Sequence, residues 1–187
     1  MQKEYDLSLP VGEAKRPLVY GDLLSVETLL RLNPHWIIES VEEEGGHFSA
    51  SLKDYVTDEE FSLSGTLTSS GQDTITLALD HEKYQEIEIF TTSGKLFASV
   101  TYSCVEDELI EEDERYVVLW LRSVKEYLRM YLKETLYARC SRYIMNKVTL
   151  QMNPSQRKIS LMLIRFTGVE ILVIFFIVVG YVIFVLK

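Results

Sequence analysis

The sequence is poor in residues that carry chemistry. Its two cysteines, Cys104 and Cys140, lie far apart and form no Cys-x-x-Cys. That excludes a disulfide framework and a dithiol motif, and two free thiols in the cytosol are expected. The three histidines, His35, His47 and His81, are also scattered, with no His-x-x-x-His pair to suit a zinc ion. There is no Gly-x-Ser-x-Gly elbow, no Walker loop and no dinucleotide fingerprint. The paired acids Glu59-Glu60 and Asp107-Glu108 stand in polar runs, where a solvated face outweighs acid–base work. No catalytic residue, metal or cofactor is expected, and an enzyme is the weakest of three readings. The first residues, Met1 to Leu7, have no apolar run, so no secretory signal is expected.

Charge is distributed unevenly. Before Leu136 there are 27 acidic and 12 basic residues; from Leu136 onward there are 1 and 7. An acidic front part argues against nucleic acid as a partner. It suits a domain held off an anionic surface, with a basic neck against that surface. A protein partner for the acidic surface or for the terminal helix stays open.

A long run near the end of the chain lacks charge. Ile171 to Leu186 holds no charged residue and no proline. About 20 apolar residues at 1.5 Å each cross a hydrocarbon core of about 30 Å. The span therefore begins near Leu161 to Phe166. Ile171, Phe175, Phe176, Val179, Tyr181 and Phe184 are expected to face lipid. Arg157, Lys158 and Arg165 precede the run and are expected at the headgroups, Arg165 by snorkelling. Glu170 marks the shallow end. Only Lys187 follows, so the positive-inside rule places the N-terminal side in the cytoplasm. The expectation is a single-pass, C-terminally anchored membrane protein. Its parts are a cytosolic domain over 1–152, a basic hinge over 153–160 and an anchor over 161–187.

Alternation organises the soluble part. Tyr5, Leu7 and Leu9 share one face of a short strand that ends at Pro10. Pro17 to Leu32 reads as one or two short helices, with Ser25 as an N-cap, stopped by Asn33-Pro34. Six strand patterns follow between His35 and Tyr102, parted by turns such as Gly45-Gly46 and Ser93-Gly94. The acidic run Glu106 to Glu114 reads as a solvated loop and an acidic first helical turn. From Arg115 one long helix is expected to run toward Met152, closed by Pro154. Val117, Leu121, Val124, Leu128 and Leu132 form an aliphatic stripe on it. Tyr116, Trp120, Tyr127 and Tyr131 form an aromatic one beside it. Short turns with one solvated face say antiparallel meander, and the helix must cover the other face.

This order of elements, with Asn33-Pro34-His35-Trp36 leading into the second strand, resembles the START-like (SRPBCC) superfamily. That group includes polyketide cyclases, plant proteins of the Bet v 1 type and ubiquinone-binding relatives. The likeness covers about residues 3 to 138. It implies an α+β helix-grip fold: a curved, antiparallel, seven-stranded sheet wrapped on a long C-terminal helix, here followed by one transmembrane helix. It also implies a cavity for an apolar ligand between sheet and helix. The superfamily has no fixed catalytic residues to carry over.

Two readings of function lead. The first is a membrane-tethered binding or transfer module for a lipid, quinone or other apolar small molecule. Its ligand would touch Trp120, Val124, Tyr127 and Tyr131 of the helix and Phe61, Ala98 and Val100 of the sheet. Small residues on the inward faces, Ala50, Gly65 and Ala98, would leave it room. The second is a membrane-anchored scaffold with a filled core, in some settings accessory to a redox enzyme.

Overall fold

The computed structural model describes residues 1–13, 17–103 and 111–185. Cys104, the acidic run up to Ile110 and Lys187 lie outside them. The chain forms two compact units, Met1–Gln151 and a second that begins at Met152.

The first unit is built on one antiparallel sheet. Its strands are β1 (Gln2–Pro10), β2 (Trp36–Glu44), β3 (His47–Asp54), β4 (Glu60–Ser69), β5 (Thr74–Asp80), β6 (Tyr84–Thr92) and β7 (Lys95–Tyr102). They lie in the order β1-β7-β6-β5-β4-β3-β2, so β2 to β7 form a meander and β1 closes onto its last strand. The β2–β3 hairpin needs two residues with positive φ. Gly45 at 60° and Gly46 at 84° supply them without a Cβ penalty. Alternation places Leu77 and Leu79 of β5, Ile87 and Ile89 of β6, and Leu96, Ala98 and Val100 of β7 on the buried face.

The short helices α1 (Tyr20–Leu23) and α2 (Val26–Leu32) join β1 to β2. Ser25 caps α2 as expected: its side chain accepts from the Thr28 amide. The sheet's buried face is covered by α3 (Glu111–Arg129). Val117, Trp120, Leu121, Val124, Tyr127 and Leu128 of α3 join the same core as the inward strand residues. This is the helix-grip arrangement: a seven-stranded antiparallel sheet holding the C-terminal helix of the domain.

The long helix is shorter than its periodicity predicts. It ends at Arg129, and α4 (Leu136–Ile144) begins a second helical segment, continued by a π-helical turn over Met145–Thr149. No glycine or proline marks the break. A cap does: the Thr135 hydroxyl accepts from the Ala138 amide and starts a new helix.

The second unit is one helix, α5 (Pro154–Val185). Pro154 opens this helix rather than closing the preceding one, and residues 154–160 of the expected hinge lie in its first turns. Proline suits the first helical position, where its missing N–H has no partner to lose. Asn153 and Gln156 complete the start, with the Asn153 amide donating to Gln156 Oε1 at 3.0 Å. At 32 residues α5 is about 48 Å long, and it is long and apolar enough to cross a membrane.

Candidate functional site

The aromatic stripe of α3 splits into two environments. Its middle is packed. Trp120 is 2% exposed, and its indole N–H donates to the Leu29 carbonyl at 2.8 Å. Val124, Tyr127, Ala98 and Val100 are buried in the same core. The room expected at Gly65 is taken. A Cβ there would meet the Phe48 ring at 2.9 Å, because Phe48 is its cross-strand partner. Tyr131 is half-buried in the turn just past the end of α3, and its hydroxyl bonds to Tyr127 and Asn146. Of the seven residues expected at the ligand, Phe61 stands apart from this filled centre.

Phe61 lies in a cleft of 630 Å³ where the first turns of α3 meet the open end of the sheet. The Asn33-Pro34-His35-Trp36 segment builds one wall. Asn33 is buried, and its Oδ1 accepts from the His35 amide at 2.9 Å, turning the chain so that His35 and Trp36 both line the cleft. His35 meets Tyr116 of α3 edge-on at 4.3 Å. Trp36 sits 5.9 Å from Phe61 and 4.9 Å from Trp120, so the cleft floor runs into the packed core. On the opposite side His81 stacks on Tyr84, centroids 4.5 Å apart. These rings come from β2 and the residue before it, β4, the β5–β6 connection, the start of β6 and α3.

The electrostatics of the cleft are one-sided. Asp54, Glu59, Glu60, Asp80 and Glu82 stand on its lining. Lys83 also lines it, but its ammonium is 2.5 Å from Asp113 Oδ1. The His81 ring is neutral near pH 7. Burial, then the neighbouring charge of Lys83, lowers the His81 pKa below its ordinary value against the opposing pull of Glu82 and Asp113. His81 Nδ1 accepts from the Lys83 amide at 3.1 Å, which places the imidazole proton on Nε2. Burial, aided by Asp113 and Asp54, raises the Tyr84 phenol far above its usual range. A neutral aromatic floor under an acidic rim can hold an apolar body and repel an anionic head.

A larger groove of 870 Å³ runs along Leu9 and Pro10, the end of α3 and α4. Lys125, Arg129 and Lys133 line it, and no stacked rings do. Among the described residues no group of histidine, cysteine and carboxylate side chains is arranged to hold a metal ion.

Along α5, Ile171, Phe175, Phe176, Tyr181 and Phe184 are exposed and Val179 is half-exposed. Lys158 and Arg165 are exposed, while Arg157 is half-buried and its Nε donates to the Met152 carbonyl at 2.9 Å.

No family model matches the chain, and no curated protein does. Several solved structures resemble it at low identity. The AHSA1-like protein from Aeromonas hydrophila is 11% identical, over 72% of this chain and 96% of that one, with a TM-score of 0.46. The major latex-like protein 151 of Panax ginseng is 9% identical, over 68% and 96%, at 0.45. The Zhui aromatase/cyclase of Streptomyces sp. R1128 is 15% identical, over 72% and 96%, at 0.44.

Proposed function

We propose that this protein is a membrane-tethered binding module for a lipid, quinone or other apolar small molecule. The observation that carries the reading is the ring-lined cleft of 630 Å³ between the sheet and the start of α3. That volume lies within the range of small-molecule sites, roughly 300–1,000 Å³. The apolar body of the ligand rests on Trp36, Phe61, Tyr84 and Tyr116. Its polar end meets the acidic rim and is neutral or cationic, since a carboxylate or phosphate there would face like charge. α5 is the anchor, and the basic residues before it keep the domain on the cytoplasmic side. Tethering raises the local concentration of a membrane ligand without adding a contact.

The test pairs thermal melting with tryptophan emission, across a panel of neutral, cationic and anionic apolar compounds. A neutral or cationic compound should raise the melting temperature and change the emission of Trp36. Phe61→Ala and Tyr116→Ala should weaken that binding. Full-length protein should also stay in the pellet through a carbonate wash, and residues 1–151 should stay in solution. A panel without any stabilising compound sinks the binding role; release by carbonate sinks the anchor.

The filled centre of the core favours a second reading, a membrane-anchored scaffold whose partners bind its surface. Trp120, Val124, Tyr127, Ala98 and Val100 leave no exposed apolar face there. The same panel separates the two, because a scaffold is stabilised by none of its members.

A further inference from the structure

The helix α4 has the wrong face in water. Leu136 is 80% exposed, Tyr137 82%, Tyr143 67% and Ile144 54%, and Val148 in the following π-turn is 42% exposed. At about 100° per residue, the four α4 side chains fall within an arc of about 120° centred on Cys140. Ala138, opposite them, is buried against the domain. This is an amphipathic helix turned inside out. Its inner face is small, and its outer face carries two aliphatic and two tyrosine side chains.

The charges around it have one sign. Arg139, Arg142 and Lys147 lie between Leu136 and Thr149, and no acid does. Arg142 stacks over the Tyr131 ring at 5.2 Å, which ties it to the domain, whereas Arg139 and Lys147 are exposed. Lys125, Arg129 and Lys133 line the adjoining groove, where Glu126 is held by Arg129 at 3.3 Å. Only four residues separate Thr149 from Pro154, the first residue of α5.

We propose that α4 is an interfacial membrane helix. Leu136, Tyr137, Tyr143, Ile144 and Val148 insert at the headgroup level of the bilayer that receives α5, while Arg139 and Lys147 contact anionic lipid. Apolar area together with basic charge is the combination that binds a helix in the plane of an anionic membrane. Tyrosine is suited to that depth, with an apolar ring and a polar tip. The inference rests on reading α5 as an anchor.

The test uses the full chain in vesicles of phosphatidylcholine and phosphatidylglycerol whose acyl chains carry bromine. The two native tryptophans, Trp36 and Trp120, are 5% and 2% exposed and serve as an internal reference that bromine does not reach. Tyr143→Trp adds an indole on the outward face, and Tyr137→Trp repeats the measurement at a second site. The added emission should be quenched by the brominated chains and sheltered from aqueous acrylamide. Quenching should weaken when Arg139 and Lys147 are both changed to Gln. Carbonate extraction of the same vesicles separates the two claims. Protein that is retained, with the added indole open to acrylamide and untouched by bromine, overturns the docking of α4 alone and leaves its face for a protein partner. Protein that washes off overturns the anchor and the docking together.

Discussion

The imidazole of His81 lies flat on the ring of Tyr84, with centroids 4.5 Å apart and planes 5° from parallel. Each ring keeps the other in its neutral form by excluding water, and their pKa values move apart: His81 down, Tyr84 up. The folded state therefore binds the His81 proton less readily than the unfolded chain does. Its contribution to stability is present above the unfolded histidine value, about 6.5, and is lost as pH falls through the lower folded value. Urea melts should show the domain weakening from pH 7.5 toward pH 5. His81→Asn should flatten that slope. If wild type and variant respond to pH in parallel, carboxylates elsewhere govern the acid response.

Trp120 completes the end of α2. The last carbonyls of a helix have no partner within it, and the Trp120 indole supplies one to Leu29 at 2.8 Å. Trp120→Phe keeps most of the volume and removes the donor, leaving a buried carbonyl unsatisfied at a cost of about 1–3 kcal/mol. Trp120→Ala adds a cavity and should cost about 3–5 kcal/mol, in the range of a core leucine truncation such as Leu121→Ala. Chemical denaturation measures both. A Trp120→Ala protein as stable as wild type would mean that the indole borders an open void after all.

Gly65 is held to glycine by space. A Cβ there would come 2.1 Å from the Ala78 carbonyl oxygen of the neighbouring strand and 2.9 Å from the Phe48 ring. Phe48 can turn aside, but the backbone of β5 cannot move without loosening its pairing with β4. Gly65→Ala should lower stability by about 1–3 kcal/mol through overpacking. Adding Phe48→Leu should recover only the part due to the ring. Full recovery in the double variant would place the whole clash on the ring.

Much of this fold is legible in the sequence because its signals are local. Alternation marks Ile75, Leu77 and Leu79 as one face of a strand, and Gly45-Gly46 fixes a hairpin. Ser25 announces a helix one residue on. The break after Arg129 is harder to see, since the six residues from Met130 to Thr135 contain neither glycine nor proline. Thr135 is the available sign, a hydroxyl ahead of Leu136-Tyr137-Ala138. Periodicity also groups Trp120 with Tyr127 but does not say what covers them. The covering atoms come from Leu29 and Trp36, far away in sequence. The cleft is hidden for the same reason: His35, Phe61, His81 and Tyr116 meet only after the sheet has curled around α3. The small residues mislead because Phe48, on the adjacent strand, fills the space that Gly65 leaves.

The orientation of α4 depends on a ring of three hydrogen bonds. Tyr127 donates to Asn146 Oδ1 at 3.2 Å, Asn146 Nδ2 donates to the Tyr131 hydroxyl at 3.0 Å, and the two tyrosine hydroxyls are 3.0 Å apart. The ring closes when Tyr131 donates to Tyr127, so each hydroxyl gives one bond and takes one. It clips the π-turn after α4 to the end of α3 and so sets which side chains of α4 point outward. Burial first, then the bond to Tyr131, raises the Tyr127 pKa. The clip therefore holds below the ordinary tyrosine value of about 10 and is lost as pH rises through the higher folded value. Tyr131→Phe deletes two of the three bonds. Asn146 is exposed, so the global cost should be small, about 0.5–1.5 kcal/mol for each bond at most. The local effect should be larger: amide hydrogens from Ala138 to Leu150 should exchange faster while those in the middle of α3 keep their protection. Asn146→Ala should act in the same direction. If neither change alters exchange in that segment, the burial of Ala138 and Leu150 fixes α4, and the ring of hydroxyls merely fills the corner between the two helices.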